Sequence, residues 1–339
     1  MNPMNPGNLN HPMRAFVHRR YGPPAEVLRL EEIEQPAIDD GEVLVRVHAA
    51  ACNPADWHLV RGEPYVARLQ LGLRGPKDRV PGCDLAGRVE AVGSRVTTVR
   101  PGDEVYGSPF GSGLGAFAEY ASVPENQLAR KPRNLTFDQA AAVPLAAQTA
   151  LQALRDHGRT EPGQRVLIVG ASGGVGTFAV QIAKALGADV TGVCSTRNTD
   201  MVRSIGADHV IDYTHEDFTT LGGRYDVVLF LAGTQTPWAC RRALTPQGTL
   251  VVISGDAKGR WVGAVGRIAK ALAVSPFVSQ RMTAFTVAPK TADLVSVTEL
   301  IETGRVTPVI GDTYALSEVP EAIRRMEGGR TRGKIVITL

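Results

Sequence analysis

The stretch from residue 164 to residue 213 constrains the fold of this chain more than any other. It begins with Arg165-Val166-Leu167-Ile168-Val169, a short apolar run typical of a strand that is buried on both faces. A glycine-rich turn from Gly170 to Gly176 follows at once, and the apolar residues after it are spaced as on one helical stripe that ends at Gly187. A second apolar run, Val190 to Cys194, comes next. Strand, glycine turn, helix and strand in this order predict a βαβ unit.

The glycines of this turn have a mechanical reason. A chain that passes directly from a strand into a helix needs positive φ angles and an uncovered backbone, and N–H groups at the start of a helix attract a pyrophosphate. The three glycines of the G-x-G-x-x-G dinucleotide fingerprint align with Ala171, Gly173 and Gly176 of this chain. The first glycine of the fingerprint is therefore missing. A turn with a purely structural role is the alternative. We expect a dinucleotide to contact Ala171, Ser172, Gly173, Gly174, Val175 and Gly176.

The end of the second strand indicates which dinucleotide is bound. NAD-dependent enzymes place Asp or Glu there to bind the ribose 2′-hydroxyl. This chain has Ser195 and Arg197 instead, and its next acid, Asp200, is predicted to lie on the following helix. Ser195 and Arg197 therefore favour the 2′-phosphate of NADPH over NADH; the alternative is that Arg197 is a solvated surface residue.

Composition and charge fit a soluble enzyme of two domains. The 339 residues are 43% hydrophobic and 21% charged, and the formal net charge of +3 is too small to predict nucleic acid as a partner. The four cysteines form no C-x-x-C pair, which favours free thiols in a reducing compartment. No apolar run reaches the ~20 residues of a membrane span, and the Asn- and Pro-rich residues 1–12 lack the layout of a signal peptide. We expect a disordered N-terminal extension over 1–12 and a cytoplasmic protein.

Strand and helix patterns divide the rest of the chain into domains. Short strands with Gly and Pro between them over 13–137 predict a small, partly open β-barrel. Strands that alternate with helices over 138–288 predict an α/β doubly wound parallel sheet, the dinucleotide-binding domain. Residues 289–339 end in Gly333-Lys334-Ile335-Val336, a final strand that returns to the first domain.

Two further segments bear on partners. If the predicted strand over 281–287 lies at the edge of the sheet, it pairs across a two-fold axis and makes a homodimer. The basic, apolar segment 258–274 is interpreted as a surface or lid helix over the cleft, with a membrane-surface helix as the alternative.

Four motifs together carry a resemblance to a known family. They are Val169 to Gly176, Asn53-Pro54-Ala55-Asp56-Trp57, Val80-Pro81-Gly82-Cys83-Asp84 and Gly333-Lys334-Ile335-Val336. From Met13 to Leu339 the chain resembles the medium-chain dehydrogenase/reductase superfamily, in its zinc-free quinone oxidoreductase (zeta-crystallin-like) branch. The resemblance implies a GroES-like catalytic domain, a Rossmann domain that binds NADPH, and a C-terminal return to the catalytic domain.

The positions that hold catalytic zinc in related alcohol dehydrogenases are changed in this chain. The resemblance places the Cys, His and second Cys ligands at Asn53, Cys83 and near Leu145, and a catalytic zinc needs three protein ligands. We therefore expect no metal. The alternative is a zinc ion held by Cys52, Cys83 and His58.

The resemblance also implies site residues. Asn53 contacts the nicotinamide or the substrate oxygen, with an Asx turn before Pro54 as its alternative. His58 and Tyr65 are candidate proton donors, with a solvated histidine and a packed tyrosine as alternatives. Asp56 is expected to orient the loop. The remaining cofactor contacts implied by the family are Thr149, Tyr213, Gly233, Ser254, Arg330 and Lys334.

Loss of zinc restricts the chemistry. Zinc polarises a carbonyl, so without it the hydride acceptor must already be electrophilic. We therefore expect NADPH-dependent reduction of a quinone or of an alkene conjugated to a carbonyl, with position and hydrogen bonds supplied by the protein. The alternatives are an enoyl-thioester reductase and an NADPH-binding sensor with little turnover.

Overall fold

The computed structural model describes residues 12–222, 224–253, 261, 266, 278–329 and 331–339. In these residues the strands, in chain order, are β1 (Pro12–Val17), β2 (Arg29–Glu34), β3 (Glu42–Cys52), β4 (Asp84–Val92), β5 (Glu104–Gly107), β6 (Tyr120–Pro124), β7 (Leu128–Arg130), β8 (Arg165–Val169), β9 (Asp189–Cys194), β10 (His209–Asp212), β11 (Tyr225–Phe230), β12 (Leu244–Val252), β13 (Arg281–Ala284), β14 (Ile310–Ala315) and β15 (Lys334–Thr338).

The α-helices are α1 (Pro24–Val27), α2 (Pro54–Arg61), α3 (Arg68–Leu71), α4 (Phe137–Ala141), α5 (Pro144–Gln152), α6 (Gly174–Ala185), α7 (Thr199–Ser204), α8 (Pro237–Cys240), α9 (Thr291–Glu302) and α10 (Val319–Glu327). A π-helical turn, Ala153–Gly158, continues α5. Shorter 3₁₀ turns occur at Tyr65–Ala67, Glu125–Gln127, Thr196–Asn198, Arg241–Ala243 and Leu316–Glu318.

The dinucleotide domain is a doubly wound parallel sheet, as the sequence predicts. Its strand order is β10-β9-β8-β11-β12-β13, and every pair in it is parallel. The order reverses at β8, so a crevice opens beyond the carboxyl end of this strand, where ligands bind in folds of this kind. Among the described strands β13 lies at the edge of the sheet, which is the condition for pairing across a two-fold axis; the pairing itself stays a prediction.

The other sheet belongs to the catalytic domain and contains the end of the chain. Its order is β14-β15-β3-β4-β5-β7, with β6 also paired to β3. β15 lies antiparallel to β3, with Ile335 opposite Cys52. The last strand of the chain therefore pairs directly with a strand from its first third. β1 and β2 form a separate antiparallel pair.

An alanine-rich helix lies at the junction of the two sheets. All residues of α5 are buried, and α5 packs on α6 and on β4 and β5. Its alanines allow the helix to approach its neighbours closely because they carry only a methyl group. The largest core cluster therefore runs from the catalytic sheet, at Ala49 and Ala86, through α5 to Ile168 and Phe178 of the dinucleotide domain.

Some predicted elements are displaced in the structure. The residue pattern predicts a strand over 27–32, but β2 begins only at Arg29, because Pro24 starts α1. It also predicts a strand over 116–123, but this segment pairs with β3 only from Tyr120, because the backbone of Phe117 bonds Phe16 and Pro81 instead. Sequence analysis does not identify α2, β14 and α10. Residues 1–11 of the expected N-terminal extension, and nearly all of the basic segment 258–274, lie outside the described residues.

Candidate active site

The glycine turn has the geometry of a phosphate-binding turn. Gly170 follows β8 with a φ of 92°, and Gly173 is the N-cap of α6. Ala171 occupies the first glycine position of the fingerprint, and Gly170, one residue earlier, supplies the positive φ angle. A Cβ atom on Gly176 would lie 2.1 Å from the Gly170 carbonyl oxygen, so this position has no room for a side chain. The first N–H groups of α6 have no partner within the helix and are available to an anion.

The structure gathers other predicted cofactor residues at the same edge. The carboxyl ends of parallel strands meet at one edge of the sheet. Ser195 directly follows β9, Tyr213 directly follows β10, and Gly233 lies three residues after β11. Asn198 Nδ2 lies 3.1 Å from Ser172 Oγ and 3.3 Å from Ser195 Oγ, which connects the turn to the end of β9. Two other predicted contacts, Ser254 and Arg330, lie outside the described residues.

Sequence analysis missed an acid at this corner. Asp212, the last residue of β10, lies opposite Cys194 in the parallel register. Its carboxylate accepts hydrogen bonds from the Thr196 hydroxyl, the Thr214 N–H and His215, and these bonds hold its pKa below the usual range. The end of the second strand itself carries no acid, but Asp212 reaches Thr196 from the end of the third strand.

A buried ion pair lies where the two domains meet. Lys334 and Asp84 are 2% and 0% exposed, and Lys334 Nζ lies 3.2 Å from Asp84 Oδ2. The same ammonium donates to Asn53 Oδ1 at 2.6 Å, and Asn53 Nδ2 donates to Asp84 Oδ2 at 2.9 Å. Asp84 Oδ1 accepts the backbone N–H of Leu145 at 2.9 Å. These four residues, at the starts of β15, β4, α2 and α5, form what we call the Lys334 cluster.

The Lys334 cluster is joined to the glycine turn. The Gly333 N–H donates to the Ser172 carbonyl at 2.8 Å. A Cβ atom added to Gly174 would meet Lys334 Cδ at 2.9 Å. Lys334 therefore lies between the side chain of Asn53 and the glycine turn that would hold the pyrophosphate. Asn53, the N-cap of α2, thus uses its amide to bond both Asp84 and Lys334.

A second buried carboxyl group lies beside the cluster. Asp56 Oδ2 accepts the Asn53 N–H at 2.7 Å, and its Oδ1 is buried without a hydrogen-bond partner among the described residues. Burial raises the pKa of Asp56 from 3.8 to about 7, against the N–H of Asn53 and the thiol of Cys83. Burial also raises the pKa of the Cys52 and Cys83 thiols well above the ordinary value, so both remain protonated.

This pKa predicts a pH-dependent difference in stability. The folded protein binds the Asp56 proton more tightly than the unfolded chain does. Protonation of Asp56 therefore stabilises the fold fully below pH 3.8, and this stabilisation is lost as the pH rises through about 7. Asp56→Asn removes this loss. The variant is therefore expected to gain stability relative to wild type between pH 5 and pH 8, by at most about 3 kcal/mol. Urea unfolding at several pH values measures it. Asp200→Asn, at a fully solvated carboxylate, is the control, and parallel curves for Asp56→Asn and wild type would contradict the prediction.

The donor set at the zinc positions does not fit a catalytic zinc ion. Asn53 and Leu145 are both bonded to Asp84, and a lysine ammonium lies 2.6 Å from Asn53. A fixed positive charge and a protonated Cys83 disfavour a second cation there. Within the described parts of the chain, no three His, Cys, Asp or Glu side chains are grouped as metal ligands. The alternative site of Cys52, Cys83 and His58 is thus not assembled.

The other predicted residues surround this site at different depths. His58 stacks on Trp57, and its Nδ1 lies 3.0 Å from the Glu63 carbonyl. Tyr65 lies edge-on to Trp261, with ring centroids 5.4 Å apart, and the Arg68 guanidinium covers its ring. Thr149 donates its hydroxyl to the Leu145 carbonyl at 2.6 Å, within α5. The roles of these residues as proton donors or cofactor contacts stay predictions.

No helix among the described residues combines the length and the apolar character that crossing a bilayer requires.

Comparisons with known proteins agree with the fold. The family model described as the alcohol dehydrogenase GroES-like domain matches residues 39–133, and the one described as zinc-binding dehydrogenase matches residues 205–337. The mitochondrial NAD(P)H oxidoreductase RTN4IP1 of Mus musculus is 36% identical over 96% of this chain and 89% of its own length. The 2-methylene-furan-3-one reductase of Solanum lycopersicum is 34% identical over 96% of this chain and 79% of its own.

A solved structure extends the similarity to three dimensions. The quinone oxidoreductase from Coxiella burnetii superimposes with a TM-score of 0.86 at 30% identity, over 97% of this chain and 100% of the other. With the reversed strand order at β8, the glycine turn and the altered zinc positions, this chain belongs to the medium-chain dehydrogenase/reductase superfamily, in its zinc-independent quinone oxidoreductase branch, and is an oxidoreductase that uses a nicotinamide cofactor.

Proposed function

We propose that this enzyme uses NADPH to reduce quinones or α,β-unsaturated carbonyl compounds. The observation that carries the proposal is the Lys334 cluster, because it fills the region of the zinc-ligand positions with an ion pair and an amide. A ketone or aldehyde is then not activated by a metal, whereas quinones and enones accept a hydride without one. The names of the Coxiella and tomato relatives, a quinone oxidoreductase and a methylene-furanone reductase, support the same substrate class.

The residues of the chain serve mainly to bind and orient. NADPH, when bound, supplies the hydride, and the N–H groups at the start of α6 hold its pyrophosphate. Lys334, fixed by Asp84, stabilises the negative charge of the phosphates and holds Asn53 beside the nicotinamide. Tyr65 and His58 are the candidates to give a proton to the reduced acceptor. In this proposal residues 13–137 form the catalytic domain and residues 138–288 form the domain that binds NADPH. Residues 289–339 return to the catalytic domain.

An acceptor panel tests the proposed activity. NADPH oxidation is measured with benzoquinones, enones and enoyl thioesters, and with simple ketones as the contrast. Turnover with quinones or enones but not with ketones supports the proposal. Turnover confined to enoyl thioesters would assign the rival reductase activity instead. NADPH binding without oxidation by any acceptor would indicate the cofactor-binding sensor.

Preference for NADPH over NADH rests on Ser195, Arg197 and Tyr213. The Tyr213 N–H bonds the Cys194 carbonyl at 3.0 Å, which places Tyr213 next to Ser195. Arg197, two residues after Ser195, supplies the positive charge that favours a 2′-phosphate at this corner.

We expect Arg197→Ala to raise the KM for NADPH by roughly ten- to hundredfold, the value of one or two charge-assisted hydrogen bonds, and to leave the KM for NADH unchanged. Steady-state kinetics with both cofactors measures this. Arg203→Ala, an exposed arginine on α7 paired with Asp200, is the matched control. Equal use of NADH by the wild type, or an equal loss for both cofactors, would overturn the assignment.

We further propose a homodimer formed through the edge strand β13 and a cytoplasmic location. Sedimentation velocity measures the first. The second is checked by imaging the tagged protein in its own cells.

A further inference from the structure

A separate cavity of about 520 Å³ lies at the other edge of the dinucleotide domain. Arg224 directly precedes β11, the turn with Arg241 and Arg242 directly precedes β12, and Gln280 directly precedes β13, and all four residues line the cavity. Because these strands are parallel, their amino ends lie opposite the carboxyl edge that holds the glycine turn. The cavity is therefore remote from the cofactor site.

The cavity concentrates positive charge. The described residues that line it include three guanidinium groups and no carboxylate. Arg224 donates to the Arg242 carbonyl, and Arg242 Nη2 donates to Thr219 Oγ1 at 3.2 Å. None of the three arginines forms an ion pair with an acid in the described part of the chain. Surface arginines are often solvated singly, but three that face one concavity repel each other unless an anion joins them.

Two polar groups of the lining are buried without partners. Arg241 Nε is buried with no acceptor among the described residues, while its guanidinium lies 4.5 Å from the centroid of the Trp238 ring. Gln280 is only 9% exposed, and its Oε1 is also unpaired. Rotation of this amide by half a turn would direct an N–H donor to the same place. Buried polar groups in native proteins are normally hydrogen-bonded, so these two atoms offer hydrogen-bonding capacity to a ligand in the cavity.

The positive surface continues into a neighbouring cavity. This second space, of about 540 Å³, shares Pro246 with the first and adds Arg159 and Arg281, with Asp226 as its one acid. Asp226 already accepts the Arg165 N–H at 2.9 Å. A ligand longer than a single phosphate therefore meets further guanidinium groups along the same edge.

We propose that this cavity, lined by Arg224, Arg241, Arg242, Thr219 and Gln280, is a second binding site for a small molecule that carries a diphosphate group. The planar fork of a guanidinium matches phosphate oxygens in pairs, and three such forks suit a ligand of two or more negative charges. The volume lies within the range of small-ligand sites, about 300–1,000 Å³. The site is distinct from the NADPH site and does not depend on the proposed function.

Calorimetric titration with inorganic diphosphate tests the site, in the presence and absence of saturating NADPH. With NADPH bound at the glycine turn, we expect one site for diphosphate to remain. Arg242→Met and Arg224→Met should each weaken its affinity roughly ten- to hundredfold, and Arg242→Lys should weaken it less. Arg20→Met, an exposed arginine of the catalytic domain, should have no effect. Fluorescence of Trp238 should respond to diphosphate, and Trp238→Phe should lose that signal while calorimetry still detects binding.

Titration with ADP distinguishes the source of the phosphates. Tighter binding of ADP than of diphosphate assigns a nucleotide, and equal binding assigns the phosphates alone; both support the site. Absence of diphosphate binding, its displacement by NADPH, or affinity that is equal in wild type and in both methionine variants would overturn the proposal.

Discussion

Lys334→Met is expected to lower the free energy of unfolding by about 3–5 kcal/mol, the usual cost of removing one partner from a buried ion pair. Asp84 is fully buried, and the ammonium of Lys334 is the group that offsets its charge. Burial already raises the pKa of Asp84 in spite of Lys334. Without the lysine, the carboxylate must be desolvated with only the Asn53 and Leu145 N–H groups as partners. Urea unfolding of wild type and variant at pH 7 measures the loss.

Two controls separate this effect from a general loss of packing. Lys334→Met combined with Asp84→Asn should recover a large part of the lost stability, because no charge is then buried alone. Lys184→Met removes a half-exposed pair with Asp208 and should cost no more than about 1 kcal/mol. A double variant as unstable as the single one would show that the charge of Asp84 is not the cause.

Lys334→Met should also impair cofactor binding in molecules that remain folded. Lys334 packs on Gly174 at the start of α6 and holds Asn53. We expect the Kd for NADPH to rise at least tenfold, about 1.4 kcal/mol, and Lys334→Arg to restore part of the affinity because it keeps the charge. An unchanged Kd would remove Lys334 from the cofactor site.

Gly176→Ala is expected to abolish NADPH binding and to destabilise the fold by about 3 kcal/mol or more, at the upper end of overpacking costs. The added Cβ would lie 2.1 Å from the Gly170 carbonyl oxygen and 2.8 Å from the Ala171 backbone. Backbone on both sides prevents relief by a side-chain movement, so β8 and α6 must separate. Thermal unfolding and fluorescence titration with NADPH measure both effects.

Gly173→Ala is the matched comparison in the same turn. Its Cβ would meet the Gly170 oxygen at 3.5 Å, an ordinary contact. Stability should therefore change by no more than about 1 kcal/mol, the cost of alanine at an N-cap. NADPH affinity should still fall roughly tenfold, because this glycine lets the pyrophosphate approach the backbone. Full affinity in Gly173→Ala would argue that the turn is only structural.

Much of the dinucleotide domain is predictable because its signals are local. Three signals lie within some twenty residues: the apolar run from Arg165 to Val169, the glycine turn, and Gly187 just after the end of α6. They predict a strand, a turn and a helix, and the structure contains each of these at the predicted place. For the alanine-rich segment that forms α4, the sequence leaves Thr136 and Asp138 as alternative caps, and in the structure Thr136 is the N-cap. Where pairing partners are distant in sequence, as at Phe117, the predicted strand is misplaced.

The sequence by itself determined the class of this protein: a βαβ unit with a glycine turn, strands alternating with helices, and substituted residues at the zinc positions. Tertiary structure decided the chemistry of the site. The residues of the Lys334 cluster are separated by as many as 281 positions along the chain, and Asp212 reaches Thr196 only because β10 pairs with β9. Electrostatic interactions depend on distance and burial, and neither can be read from residues that the fold has yet to bring together.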